Sequence, residues 1–169
     1  LMKELSITNV KFEKVIDLGC GTGLSGNDLR NFSESLTGVD LSRNMIIKAR
    51  EREIYDNLII GDIVDTLRSA KEKYDLFIAL DVLIYIGEII DITNAIKDCC
   101  KKNSFLILSI ESQKDGDYSL LKSGRYSHSL EYVLNITSAN FKLIKNREVN
   151  LRKENENWIA GQIIILQSL

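Results

Sequence analysis

Val15-Ile16-Asp17-Leu18-Gly19-Cys20-Gly21-Thr22-Gly23 restricts what this chain can fold into more than any other stretch. An apolar run ends in a carboxylate and a leucine, glycine then falls at every second position, and residues 24–31 can continue as a helix. That order reads as a buried parallel strand turning tightly into a helix. Glycine suits the turn because a backbone that bends sharply beneath a ligand has no room for a Cβ and can need positive φ. The turn presents bare amides, a common means of holding a ligand.

Three nucleotide-type readings compete. A phosphate-cradling P-loop needs a Lys-Ser/Thr pair after the last glycine, and none follows Gly23. A dinucleotide fingerprint, G-x-G-x-x-G, is matched literally by Gly21-Thr22-Gly23-Leu24-Ser25-Gly26, so an NAD-dependent oxidoreductase stays in view. Its frame is poor, because the strand ends at Leu18 and a match starting at Gly21 sits too far into the expected helix. The spacing from Gly26 to Asp40 is also short. Asp17 aims a carboxylate at the turn, where a pyrophosphate would be repelled and a cationic or amine-bearing ligand attracted.

The stretch Asp17-Leu18-Gly19-Cys20-Gly21-Thr22-Gly23 resembles motif I of the Rossmann-like, class I S-adenosylmethionine-dependent methyltransferases. The likeness continues in order through Gly38-Val39-Asp40-Leu41-Ser42, Gly61-Asp62-Ile63 and Tyr74-Asp75-Leu76-Phe77-Ile78-Ala79-Leu80-Asp81. It implies an α/β, three-layer fold with a mostly parallel seven-stranded sheet and an antiparallel C-terminal strand. It also implies S-adenosylmethionine as methyl donor, S-adenosylhomocysteine as product, and cofactor contacts from Asp17, Gly19, Cys20, Gly21, Asp40, Leu41, Asp62, Ile63, Leu80 and Asp81. In that family the acid after the third strand accepts from the adenine amino group and the next residue covers the ring, which Asp62 and Ile63 match. A second, narrower likeness, Gly124-Arg125-Tyr126-Ser127-His128-Ser129 with Tyr132, is to predicted methyltransferases that carry tetratricopeptide repeats before the catalytic domain; such repeats are not in this chain.

The 169 residues suit one domain over 1–169, and Leu1 before Met2 allows that domain to be the C-terminal part of a longer protein. A net charge of −2 offers no basic surplus for gripping nucleic acid. Cys20, Cys99 and Cys100 lack metal-ligand spacing, so no metal is expected and reduced thiols in a cytoplasmic protein are the plain reading. The longest apolar stretch, residues 76–90, is broken by Asp81 and Glu88 and is too short to cross a bilayer. The oligomeric state is not legible.

Taken in order, residues 2–10 read as a short helix or an extended lead-in. Strands are expected over 14–18, 35–40, 58–60, 74–80 and 104–110, and helices over 25–31, 43–53, 64–70, 88–101 and 130–139. Residues 112–124 are polar and read as an irregular substrate-facing loop. Two strands, 141–149 and 158–166, close the chain around a charged link, 150–157. Asp40, about twenty residues past the glycine turn, is suited to pairing with ribose hydroxyls. Met45, Ile46 and Ala49 read as core. Asp17, Asp40, Asp62 and Asp81 fall at or near strand carboxyl ends, where open α/β sheets bind ligands. Such a fringe suits a ligand with an amino group, a sulfonium and hydroxyls better than one rich in phosphate.

Methyl transfer from a sulfonium is an in-line displacement that needs mainly proximity and alignment. His128, the sole histidine, is the candidate base, and Tyr85 could border the transferring methyl. Tyr118, Arg125 and Tyr126 are candidate substrate contacts, with Arg125 offering a carboxylate-binding fork. No Asn-Pro-Pro-Tyr-like element follows the fourth strand, so the usual signature for methylating base amines or glutamine amides is missing. The acceptor is therefore read as a small molecule or a protein side chain. A different class also fits: a non-catalytic S-adenosylmethionine-binding module of a larger assembly.

Overall fold

A computed structural model describes residues 11–154 and 156–169. The expected lead-in over 2–10 lies outside them. Seven strands form one sheet in the order β3-β2-β1-β4-β5-β9-β8. They are β1 (Phe12–Leu18), β2 (Ser33–Asp40), β3 (Asn57–Ile60), β4 (Tyr74–Ala79), β5 (Cys100–Glu111), β8 (Phe141–Glu154) and β9 (Asn157–Ser168). Strand β9 runs antiparallel to both β5 and β8, and the pairs β1–β2, β1–β4, β2–β3 and β4–β5 are parallel.

Successive residues of the central strands feed opposite faces, as the strand period requires. Ile16, Leu18 and Phe77 join one buried cluster with Leu67 of α3 (Ile63–Ser69), Ile92 and Ile96 of α4 (Ile90–Asp98) and Val133 of α5 (Leu130–Thr137). Val15, Leu36, Leu76 and Ile78 join the other, with Leu29 of α1 (Gly26–Arg30). Both faces of β1 and β4 are thus dry, which is why those strands read as apolar runs. Burying each such side chain contributes about 1.5–3 kcal/mol. Because β2 and β3 lie to one side of β1 while β4 and β5 lie to the other, the strand order reverses between β1 and β4. A crevice opens beyond their carboxyl ends.

Several boundaries differ from expectation. Helix α1 begins only at Gly26, so Gly21 and Gly23 lie in the turn itself and not within a helix. Helix α2 (Arg43–Arg50) stops short, and Glu53 follows in the left-handed region at φ 55°. Residues 100–103 are strand, because Tyr74 of β4 pairs with Cys100 before a register shift. The loop over 112–124 contains β6 (Tyr118–Leu120), which pairs with β7 (Tyr126–His128). Most of the charged link over 150–157 is strand: β8 and β9 stay paired out to Glu154 and Asn157. Helical periodicity and charge could not foresee this, since the ribbon is held by cross-strand pairing.

Candidate active site

The glycine turn is shaped by its backbone. Gly19, Gly21 and Gly23 have φ of 75°, 54° and 77°, values that side chains with a Cβ rarely adopt. At Gly19 a Cβ would also come within 2.5 Å of Val82 Cγ2, so the segment after β4 packs directly on the turn. At Gly21 nothing lies within 4 Å of where a Cβ would be. One glycine therefore permits close packing, and the other leaves bare backbone beside open space.

That space is a cavity of about 700 Å³ lined by Gly19, Cys20, Gly21, Thr22, Leu24 and Ser25 of the turn, by residues 40–42 and Met45, by residues 61–63, and by residues 80–82 with Tyr85 and Ile86. It lies within the size range of small-molecule sites. Asp40 lies on its wall, with Oδ2 accepting from the Gly21 amide at 2.9 Å and Oδ1 from the Ser42 amide at 2.8 Å. Among the described residues each oxygen has one donor and keeps a second lone-pair direction, so a vicinal diol could donate to both. Asp62 caps α3, with Oδ1 accepting from the amides of Val64 at 2.8 Å and Asp65 at 3.1 Å. Its Oδ2 makes no hydrogen bond among the described residues, so capping leaves one oxygen for a ligand amine. Ile63, Leu41 and Leu80 add apolar walls. Burial, with Asp17 and Asp40 nearby, pushes the Cys20 thiol up to about 12, so Cys20 is a neutral lining group and not a nucleophile.

Asp17 does not reach this cavity. It is 2% exposed and accepts from Ser25 Oγ–H and Tyr55 Oη–H, each at 2.7 Å, behind the turn. Burial pushes its carboxyl up, the two hydroxyl donors pull it back, and Asp40 adds to the rise. Asp17, expected as a ligand contact, thus braces the turn from below and is not among the residues that line the cavity. Met45, expected in the core, lines the cavity at 39% exposure, while Ile46 and Ala49 are buried as expected.

The expected catalytic and substrate set divides. Tyr85 is exposed and lines the cavity. His128 is fully buried; its Nε2 lies 2.9 Å from the carbonyl oxygen of Gly87, so Nε2 is the protonated nitrogen, and Nδ1 is buried with no hydrogen-bond partner among the described residues. Desolvation holds its pKa below the ordinary histidine value. Its ring stacks on Tyr132 at 6.2 Å, away from the cavity lining. Arg125 is paired through Nη1 with Glu154, while its Nε is buried with no hydrogen-bond partner among the described residues. Tyr118 and Tyr126 flank Gly87, where a Cβ would lie 2.9 Å and 2.8 Å from their rings. His128, Tyr118 and Tyr126 therefore pack against Gly87, in the segment that follows Tyr85, and are not among the residues that line the cavity. The residues that sequence reasoning missed are Tyr55, Glu111, Arg152 and Glu154. Only the fold brings them near the turn or the cleft, and the charged run around Arg152 carried no local signal.

The family model described as nodulation protein S (NodS) matches residues 1–164. A ubiquinone biosynthesis O-methyltransferase of Glaesserella parasuis serovar 5 (strain SH0165) is 26% identical over 169 residues, 90% of this chain and 67% of that protein. An 18S rRNA (guanine-N(7))-methyltransferase of Bos taurus is 32% identical over 72 residues, 43% of this chain but 26% of that protein. Among solved structures, N-methyltransferase NodS from Bradyrhizobium japonicum WM9 in complex with S-adenosyl-L-homocysteine superposes with a TM-score of 0.77 at 15% identity, covering 99% of this chain and 83% of that one. This last likeness is one of fold.

Proposed function

The chain belongs to the nodulation protein S family of S-adenosylmethionine-dependent methyltransferases, and from that premise we propose that its cleft binds the methyl donor and delivers the methyl group to a small-molecule acceptor. The carrying observation is Asp40, a carboxylate pinned by the amides of Gly21 and Ser42 on the wall of the cavity. In this reading Asp40 receives the ribose hydroxyls, Asp62 the adenine amino group, and Ile63 and Leu41 enclose the ring. Gly19, Gly21, Leu80 and Asp81 border the methionyl part. The bound donor supplies a methyl carbon on a sulfonium, whose neutral thioether is a good leaving group. The protein's own task is to hold an acceptor atom in line with that carbon and keep water out, an effect worth on the order of 7 kcal/mol or more at ideal alignment. Asp40 and Asp62 also favour a cationic ligand over a pyrophosphate.

The net charge of −2 disfavours a nucleic-acid acceptor and leaves a protein side chain as the alternative to a small molecule, while the partial match to an rRNA methyltransferase makes RNA an outcome to test. The narrower likeness of residues 124–129 to tetratricopeptide-associated methyltransferases belongs to the same proposal, as do a single domain over 1–169 and a cytoplasmic setting. No helix among the described residues is long and apolar enough to cross a membrane. The buried His128 and the paired Arg125 favour one second reading, a module that binds the donor without turnover.

Calorimetry with S-adenosylhomocysteine, S-adenosylmethionine and NADH tests the assignment. The first two should bind and the third should not, and Asp40→Ala should weaken S-adenosylhomocysteine about tenfold or more, the worth of hydrogen bonds to a charged group. Absence of binding by the first two overturns the proposal. Release of S-adenosylhomocysteine in the presence of amine, hydroxyl, carboxyl or RNA acceptors then separates an enzyme from a binding module.

A further inference from the structure

Arg152 lies on β8 next to a break in the β8–β9 register, between Asn150 and Arg152. Irregularities of this kind re-aim side chains. Its guanidinium engages three carboxylates: Nη1 donates to Asp81 Oδ1 at 2.9 Å, Nη2 to Glu111 Oε2 at 2.7 Å, and Nε to Glu154 Oε1 at 2.7 Å. These acids come from the end of β4, the end of β5 and β8 itself. Glu154 in turn binds Arg125, just before β7.

Asp81 is the member of this network that lines the cavity. It is also a non-glycine residue at φ 54°, a conformation that persists only where surroundings enforce it. Two contacts enforce it: the Asp81 amide donates to Ser109 Oγ at 2.8 Å, and the Asp81 carboxylate is held by Arg152. The residues that follow, Val82, Tyr85 and Ile86, form the wall of the cavity on that side, with the Tyr85 amide bonded to Val82 O and the Ile86 amide to Leu83 O.

We propose that Arg152 is a positioning residue: by clamping Asp81 from the distant β8–β9 ribbon it sets the backbone over 81–86 as one wall of the methyl-donor cleft. The inference rests on the donor-binding reading above only for its ligand arm. Because removing Arg152 alone leaves Glu111 buried without its partner, the informative variant is Arg152→Met combined with Glu111→Gln, beside Arg152→Lys.

Two measurements on the full chain decide it. Hydrogen exchange needs no ligand: in Arg152→Met/Glu111→Gln the amides of Asp81, Tyr85 and Ile86 should exchange at least tenfold faster while those of β1 and β2 keep their rates. Calorimetry with S-adenosylhomocysteine should show affinity at least tenfold weaker in the same variant, with Arg152→Lys recovering part of it. Asp81→Asn should weaken binding in the otherwise unchanged protein yet add nothing in the Arg152→Met/Glu111→Gln background. Unchanged exchange over 81–86, or unchanged affinity in a variant whose melting temperature has fallen, overturns the proposal in favour of an ordinary structural ion pair. A protein with Arg152 intact that fails to bind S-adenosylhomocysteine overturns the donor assignment instead, and the exchange arm still decides the clamp.

Discussion

At the residue scale, two glycines two positions apart do different work. Gly19 has both a left-handed backbone and Val82 against its Cα, whereas Gly21 has the backbone alone. Gly21→Ala should therefore cost about 1–2 kcal/mol, the penalty of a Cβ in that conformation. Gly19→Ala adds overpacking of about 1–3 kcal/mol. Urea denaturation of the two variants should rank Gly19→Ala as clearly the less stable; equal losses would mean that Val82 yields without cost. The need for glycine here was readable from its spacing. The partner at Gly19 was not, because Val82 lies far along the chain and arrives only when β4 pairs with β1.

Whole elements show how one side chain can serve structure and ligand together. Asp62 caps α3 through Oδ1, as Ser42 caps α2 through its hydroxyl. Asp62→Ser keeps a capping oxygen but shortens the side chain. It should preserve thermal stability to within a few tenths of a kcal/mol while weakening S-adenosylhomocysteine binding, whereas Asp62→Ala should lose about 1 kcal/mol of stability as well. Paired melting and calorimetry separate the two effects, and equal affinity in Asp62→Ser and the unmodified protein would remove Asp62 from the ligand site. Elements were harder to bound than to recognise. Residues 100–103 follow a helical face yet are strand, because pairing with β4 outweighs local periodicity.

At the scale of the molecule, the sole histidine couples pH to folding. His128 is fully buried, and desolvation lowers its pKa from the ordinary 6.5 against the opposing effect of its hydrogen bond to the Gly87 backbone. The unfolded chain therefore binds the proton more readily. The stability linked to His128 is present in full above about pH 6.5 and is lost as pH falls below it toward the folded-state pKa, with a slope of at most about 1.4 kcal/mol per pH unit. Denaturant titrations between pH 5 and pH 7.5 should show this decline, and His128→Gln should remove it; an identical decline in that variant would assign it to carboxylates instead. Four ordered motifs along the chain were enough to establish the sheet, its crevice and the acids around it, because an apolar strand, a glycine turn and a terminal acid are all encoded within a few neighbouring residues. Which of those acids line the cavity depends on the tertiary structure: Asp40, Asp62 and Asp81 do. Asp17 turns inward to Ser25 and Tyr55, His128 seals against Gly87, and Arg152 reaches Asp81 from the far ribbon. Such contacts join residues separated by many positions, and their geometry depends on strand pairing and burial, neither of which leaves a periodic trace in the sequence.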